Sequence, residues 1–378
     1  NRSKCMRILL ISYDSYRYDG RLRELIKVAE ELGEVTYITH GENETAVSDH
    51  HILYQGHGYS EFILFCMQQA RRLGAMDMIF IDNRKGILPG YLVKRLTGAK
   101  YVVQDCRELY DMKSAAGIPG RIGCIMEKIF TRHSNVVIAA NAFRAKIMVG
   151  MFGLKRRPLN YENIRRLENS SEEEAQRVAE ECKDFFNEKK FRIVSTAGCD
   201  MSRTTGKMLD AMKELGDGYE LLLIGESEEE DEEIVRQTIL MNGLTNVKIL
   251  PRMDQDHLKY FIDQSQVGMV TYHQRDLNNK YCASGKIFEF LYEGKPVVTS
   301  TNPPLKTFCD NHGVGIADDH YARAIRAIAE NYDKWQTTVE KCHRYHRGNN
   351  QCLSEESGRD SLYVWREGYC KAWRYFYQ

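Results

Sequence analysis

The chain has 378 residues, 43% hydrophobic and 28% charged, with 53 basic residues against 53 acidic ones. That length exceeds one ordinary core and implies two domains, no apolar run nears the roughly 20 residues that span a bilayer, and no signal-peptide pattern opens the sequence. Its eleven cysteines, Cys5, Cys66 and Cys106 among them, lack paired spacing, which argues for reduced thiols in a cytoplasmic protein and against a disulfide or zinc framework.

The charge is unevenly spread. Residues 1–167 hold 26 Lys+Arg against 17 Asp+Glu, and residues 168–378 hold 27 against 36. Either the basic half meets an anionic surface or ligand, or the imbalance is ordinary surface scatter.

In chain order, MRILLISY has strand length, GRLRELIKVAEELG has helical spacing closed by Gly33, and EVTYITH is strand-like again. DMIFID, AKYVVQD and NVVIAA follow, separated by helical stretches such as 90–97 and 121–132. Apolar strands alternating with helices imply a parallel sheet covered on both faces. RRPLNYENIRRLE then breaks the pattern, and an acidic helix, SSEEEAQRVAEECKDFFNEKK, leads into a second alternation running from FRIVSTAG to KPVVTS. The expected fold is α/β, with two Rossmann-like domains in tandem. The last segment reads as an amphipathic helix, with Leu362, Trp365, Tyr369, Ala372 and Phe376 on one stripe that needs an apolar partner surface.

The stretch SGKIFEFLYEGKPVV joins a glycine and a lysine at a helix start to a carboxylate one turn on, and then to a buried strand. Free backbone N–H groups at a helix start attract an anion, Gly285 permits close approach, and Lys286 adds a charge. Glu289 shares the face of Lys286, within reach of a polyol. Phosphate and hydroxyls together describe a nucleoside diphosphate, although a well-capped helix with an exposed Lys and Glu would read the same. Earlier, Asp105-Cys106-Arg107-Glu108 ends a strand, where open α/β sheets place ligands. Asp105 would orient Arg107 or accept a proton and Arg107 would stabilise phosphate charge, or the Asp–Arg pair simply pins the loop. In Asp19-Gly20-Arg21, Gly20 would admit a ligand and Arg21 would point at it, or Asp19 would merely cap the helix. His50, His51 and His57 have no carboxylate at metal spacing, so no metal site is expected.

SGKIFEFLYEGKPVV resembles the PNKLFEYLAAGKPVV segment of retaining, family-4-type GT-B glycosyltransferases. DGRLRELIKVAEELGEVTYIT, VVQDCRELY, STAGCDMSRTTGKMLDAM and LLLIGE resemble further segments of that family in the same order. The resemblance implies two domains facing across a cleft: an acceptor domain over 1–165, a nucleotide-sugar domain over 166–355, and a helix over 356–378 crossing back to the first. It places the donor diphosphate on Lys286, with Ser284 and Gly285 beside it, and the ribose on Glu289. It puts the pyrophosphate loop at Gly198 with Arg203 or Lys207, and the base near Arg252 and Met253. Tyr281 stands where many members carry a sugar-binding glutamate, and Arg107 where many carry a histidine.

The implied activity is hexosyl transfer from a nucleotide-diphosphate sugar to an acceptor hydroxyl, in surface polysaccharide or glycoconjugate synthesis. It would need neither cofactor nor metal and no nucleic acid. The acceptor would be a saccharide or lipid-linked saccharide, met at the inner face of an anionic membrane. A non-catalytic homologue and a sugar-nucleotide 2-epimerase are the alternatives.

Overall fold

The computed structural model describes residues 6–341 apart from 166, 168, 169, 187 and 188. The amphipathic segment 356–378, with its expected crossing back to the first domain, lies outside the described residues. The chain divides between Glu162 and Asn163 into two compact units.

In the first unit the elements run β1 (Met6–Ile11), α1 (Gly20–Glu30), β2 (Gly33–His40), β3 (His51–Tyr54), α2 (Tyr59–Leu73) and β4 (Met78–Asp82). They continue with α3 (Ile87–Thr97), β5 (Tyr101–Cys106), α4 (Gly117–Thr131), β6 (Val136–Ala139), α5 (Ala142–Phe152) and β7 (Leu159–Asn160). The seven strands are all parallel, in the order β3-β2-β1-β4-β5-β6-β7. Both faces are covered, as the continuous apolar strands imply. Ile8 and Leu10 of β1 pack with Leu22, Leu25 and Ala29 of α1, while Leu9 and Ile11 pack with Phe62 and Cys66 of α2 and Val93 of α3.

The second unit runs α6 (Glu172–Glu181), β8 (Phe191–Ser195), α7 (Thr205–Leu215), β9 (Tyr219–Ile224), α8 (Glu229–Met241), β10 (Val247–Leu250) and α9 (Gln255–Asp263). It continues with β11 (Val267–Val270), α10 (Leu277–Lys280), α11 (Lys286–Tyr292), β12 (Val297–Thr299), α12 (Pro303–His312), β13 (Gly315–Ala317) and α13 (Tyr321–Ala329). Its six parallel strands are ordered β10-β9-β8-β11-β12-β13. Ile193 faces Met208 and Met212 of α7 and Ile325 of α13, and Val194 faces Phe261 of α9 and Phe290 of α11. Each such side chain, fully buried, contributes about 1.5–3 kcal/mol. Among the described residues no helix is long and apolar enough to cross a membrane.

Two local readings change. HILY, which the strand pattern does not single out, is the edge strand β3. His51 is buried there, its Nδ1 accepting from the Val47 amide at 3.1 Å and its Nε2 2.7 Å from the Thr39 hydroxyl. The helix after SGK is short, seven residues, and Gly285 before it is in ordinary right-handed conformation. What demands glycine at 285 is crowding. A Cβ there would lie 2.7 Å from the Asn163 carbonyl oxygen and 2.7 Å from Cγ of Arg165. The segment entering the second unit therefore packs directly on Gly285.

Gly268 in β11 sets how closely α11 lies on the sheet, because a Cβ there would come within 2.3 Å of the Phe290 ring. Gly268→Ala is expected to destabilise the protein by about 1–3 kcal/mol. Urea denaturation checks this, and an unchanged midpoint would show that α11 is not seated by that contact.

Candidate functional site

In an open parallel sheet, ligands bind beyond the carboxyl ends of the strands where the strand order reverses. The first sheet reverses between β1 and β4, the second between β8 and β11. Each unit concentrates its polar side chains at that point.

In the first unit Ser12 follows β1, Asp82 ends β4, and Asp105 lies at the end of β5. Arg107 donates from Nε and Nη2 to the two oxygens of Asp82, each at 2.7 Å, and from Nη1 to Asp19. The Ser12 hydroxyl also donates to Asp82, at 2.6 Å. Arg21 makes the same two-pronged contact with Asp105, at 2.7 and 2.6 Å, and donates to the Tyr161 carbonyl at 2.9 Å. Asp19 caps α1 by accepting from the Leu22 amide at 3.0 Å, so its capping and its Arg107 contact coexist.

Asp19, Arg21, Asp105 and Arg107 thus come together as the sequence suggests, in altered roles. Arg21 points inward and is buried. Asp105 is gripped by Arg21, and the principal partner of Arg107 is Asp82. All three donor nitrogens of Arg107 are engaged by carboxylates. Glu108 stands apart, half-exposed, 3.8 Å from Arg144. A Cβ at Gly20 would meet only Nη2 of Arg23, at an ordinary 3.8 Å.

Asp82 was not singled out from the sequence, since a terminal Asp on DMIFID gains meaning only once β4 lies beside β1. Burial pushes its carboxyl up to about 7, aided by Asp105 and Asp14 and opposed by Arg107 and Ser12. The next residue, Asn83, has φ 57° and ψ −179°, a conformation nearly restricted to glycine that costs of order 1–3 kcal/mol. Its amide is tied to the Asp105 carbonyl at 3.0 Å and its side chain accepts from the Arg84 amide at 2.8 Å. Strain of this kind persists where surrounding contacts over-determine it.

In the second unit Lys286 reaches the end of β8, donating to the Thr196 carbonyl and, at 3.1 Å, bonding the Thr196 hydroxyl. Burial is the main influence on its ammonium and pushes it down to about 8; Arg203 and Arg165 lower it further, while Glu289 and Asp200 hold it up. Arg203 stacks its guanidinium 3.8 Å from the Tyr272 ring centre and lies 3.3 Å from Asp200. Among the described residues its buried Nη1 has no hydrogen-bond partner, and neither has the buried Ser284 hydroxyl.

The loop carrying Arg203 is fixed at several points. Thr271 donates to the Arg203 carbonyl, Thr205 to that of Asp200 at 2.7 Å, and Asp200 accepts from the Ser202 amide at 2.8 Å. Thr204 sits at φ 56°, an uncommon state for a β-branched residue, with its hydroxyl 2.7 Å from that of Tyr321. Gly198 is also demanded by the backbone: φ is +61°, and a Cβ would lie 2.7 Å from the Ser227 hydroxyl oxygen.

Between the two basic candidates the geometry favours Arg203; Lys207 is exposed on α7. Arg252 is exposed, 3.4 Å from Glu226, and Met253 packs against the core beside α9. Tyr281 follows α10, with the Lys280 ammonium 5.7 Å from its ring centre.

No protein-family model and no curated protein matches the sequence. Solved structures do match. Anabaena HepE, solved in complex with UDP-glucose, shares 15% identity over 96% of this chain and 98% of its own, with a TM-score of 0.69. Sucrose-phosphate synthase from Thermosynechococcus elongatus shares 15% identity over 97% of this chain and 100% of its own, with a TM-score of 0.71. The chain has the GT-B fold. A UDP-N-acetylglucosamine 2-epimerase is also similar, at 9% identity over 89% of this chain and 91% of its own and a TM-score of 0.55.

The Arg107–Asp82 pair yields a direct test. Arg107→Met leaves a buried carboxyl without its counter-charge and is expected to cost roughly 3–5 kcal/mol, much of it recovered in Arg107→Met/Asp82→Asn. A carboxyl whose folded pKa lies above its unfolded value binds its proton more tightly when folded, so it loses stability as pH rises through that window. Losing Arg107 extends the window above about 7. The single variant is therefore expected to be worse at pH 8 than at pH 6 in chemical denaturation. Equal losses at both pH values, or no rescue when Asp82→Asn is added, would contradict the pairing.

Proposed function

We propose that the protein is a retaining glycosyltransferase that moves a hexosyl group from a nucleotide-diphosphate sugar to an acceptor hydroxyl. The observation that carries this reading is the cationic cluster at the switch point of the second sheet. Burial and the nearby Arg203 and Arg165 lower the Lys286 ammonium, and among the described residues a buried Arg203 donor and the Ser284 hydroxyl have no hydrogen-bond partner. Holding a largely buried ammonium beside two guanidinium groups, one with an unused buried donor, is costly unless an anion completes the site. A diphosphate supplies that anion, and Glu289 on the same turn as Lys286 suits a ribose hydroxyl. The reading is further supported by the fold shared with HepE, solved with UDP-glucose, and with sucrose-phosphate synthase.

In this scheme the second unit binds the donor. As the glycosidic C–O bond breaks, charge gathers on the leaving diphosphate, and Lys286 and Arg203 are placed to stabilise it without a divalent metal. The donor sugar would be held near Tyr281, with the base near Arg252 and Met253. The first unit binds the acceptor near Asp19 and the Asp82–Arg107 pair. A saccharide or lipid-linked saccharide at an anionic membrane is the acceptor class we assign, with a role in surface polysaccharide assembly.

Calorimetric titration with UDP, GDP, ADP and CDP, with and without chelator, tests the donor site. Lys286→Ala and Glu289→Ala are each expected to weaken the preferred nucleotide about tenfold or more, since a charged hydrogen bond contributes roughly 1.5–3 kcal/mol. Affinity is also expected to fall as pH rises through about 8, where Lys286 loses its proton, and to be insensitive to chelator. Unchanged affinity in both variants would refute the assignment. Inversion at C2 of the donor sugar without acceptor-dependent release of nucleotide would favour the epimerase reading.

A further inference from the structure

Helix α4 is built inside out. Its buried residues are Cys124, Glu127 and Thr131, and burial pushes the Glu127 carboxyl up to about 7 while Arg84, 3.3 Å away, opposes the rise. Its outward face carries Ile118, Ile122, Ile125 and Ile129, exposed by 74%, 51%, 49% and 46%. At about 100° per residue these four fall within roughly 60° of arc, a continuous apolar stripe. A helix that turns its isoleucines outward and a glutamate inward has its apolar face committed to something other than its own core.

Charge identifies the partner. Arg121 and Lys128 flank the stripe on one side, both exposed. Between residues 112 and 160 there are nine Lys or Arg, and the single acid is the inward-facing Glu127. An apolar stripe edged by cations, with no exposed acid on the helix, matches the boundary between headgroups and acyl chains in an anionic leaflet. It would disfavour a second copy of itself, whose α4 face carries the same positive charge. The position also fits: Arg107 leads through the loop 108–116 into α4, so the helix begins at the sheet edge that holds Asp82 and Asp105.

We propose that the outward face of α4 is a membrane-docking surface that inserts its isoleucines into an anionic lipid leaflet. This names the surface for the membrane contact in the function assigned above and rests on that reading only for the nature of the acceptor. Sedimentation of the full chain with phosphatidylcholine vesicles, with and without phosphatidylglycerol, tests it. The parent is expected to bind the anionic vesicles, and less tightly as salt rises. Ile122→Ser/Ile125→Ser should lower the partition at least tenfold, and Arg121→Glu/Lys128→Glu should abolish the preference for anionic over neutral vesicles. All four positions are exposed, and circular dichroism confirms that the variants fold. Absence of vesicle binding by the parent, or binding by the variants equal to the parent's, overturns the proposal. So does a dimer in analytical ultracentrifugation that Ile122→Ser/Ile125→Ser disperses, since the face then belongs to a second copy. Nucleotide titration without lipid separates the two readings: a chain that binds UDP but no vesicle loses only the docking surface, and the converse loses only the donor assignment.

Discussion

A parallel sheet packed by helices on both faces leaves its polar chemistry only the strand ends. Strand interiors in both units are mostly apolar, because each residue faces one helical layer or the other, and exceptions such as Arg192 and Glu220 are paired with each other. Charged groups collect where a strand stops, and they can come from both sides only where neighbouring helices diverge, at the reversal of strand order. The clusters around Asp82 and Lys286 are consequences of that constraint. Ser12, Asp82 and Asp105 each stand at a strand's carboxyl end, and Lys286 is tied to Thr196, the first residue beyond β8.

The two clusters follow opposite electrostatic rules. In the first unit the guanidinium groups of Arg21 and Arg107 are each gripped by carboxylates, and the acids Asp14, Asp19, Asp82 and Asp105 outnumber them. The surplus falls on the most buried acid, Asp82, whose carboxyl rises to about 7. A group that exchanges a proton near neutrality suits handling of a hydroxyl. In the second unit the cations Lys286, Arg203 and Arg165 outnumber the acids beside them, Asp200 and Glu289, and among the described residues a buried arginine nitrogen has nothing to donate to. That imbalance suits an incoming anion. Fixed backbone supports both: the strained Asn83 beside Asp82, and left-handed Thr204 beside Arg203.

Much of this was legible in the sequence where the signal is local. The alternation of apolar runs and helices gave the two parallel sheets, and Lys286, Glu289, Gly198 and Arg203 belong to contiguous segments whose pattern can be read along the chain. What was hidden depends on strands distant in sequence. Asp82 and Ser12 are 70 residues apart and meet only because β4 is laid beside β1. Gly285 was read as room for an anion, whereas its missing Cβ accommodates Asn163 and Arg165, more than a hundred residues earlier. The strand that buries His51 is not legible, because an edge strand of four residues carries too short a pattern to register. The isoleucines of α4 have the spacing of a core-facing stripe, and only the structure reveals that they face outward.

The central claim is that the loop after β8 and the start of α11 form one anion site in the second unit. Hydrogen-exchange mass spectrometry with and without saturating UDP tests it most directly, because a bound ligand suppresses local opening where it makes contact. Added protection is expected only in residues 196–204 and 284–289, with the ends of β4 and β5 unchanged. Protection absent from both of those segments while UDP is bound, or found only in the first unit, would contradict it.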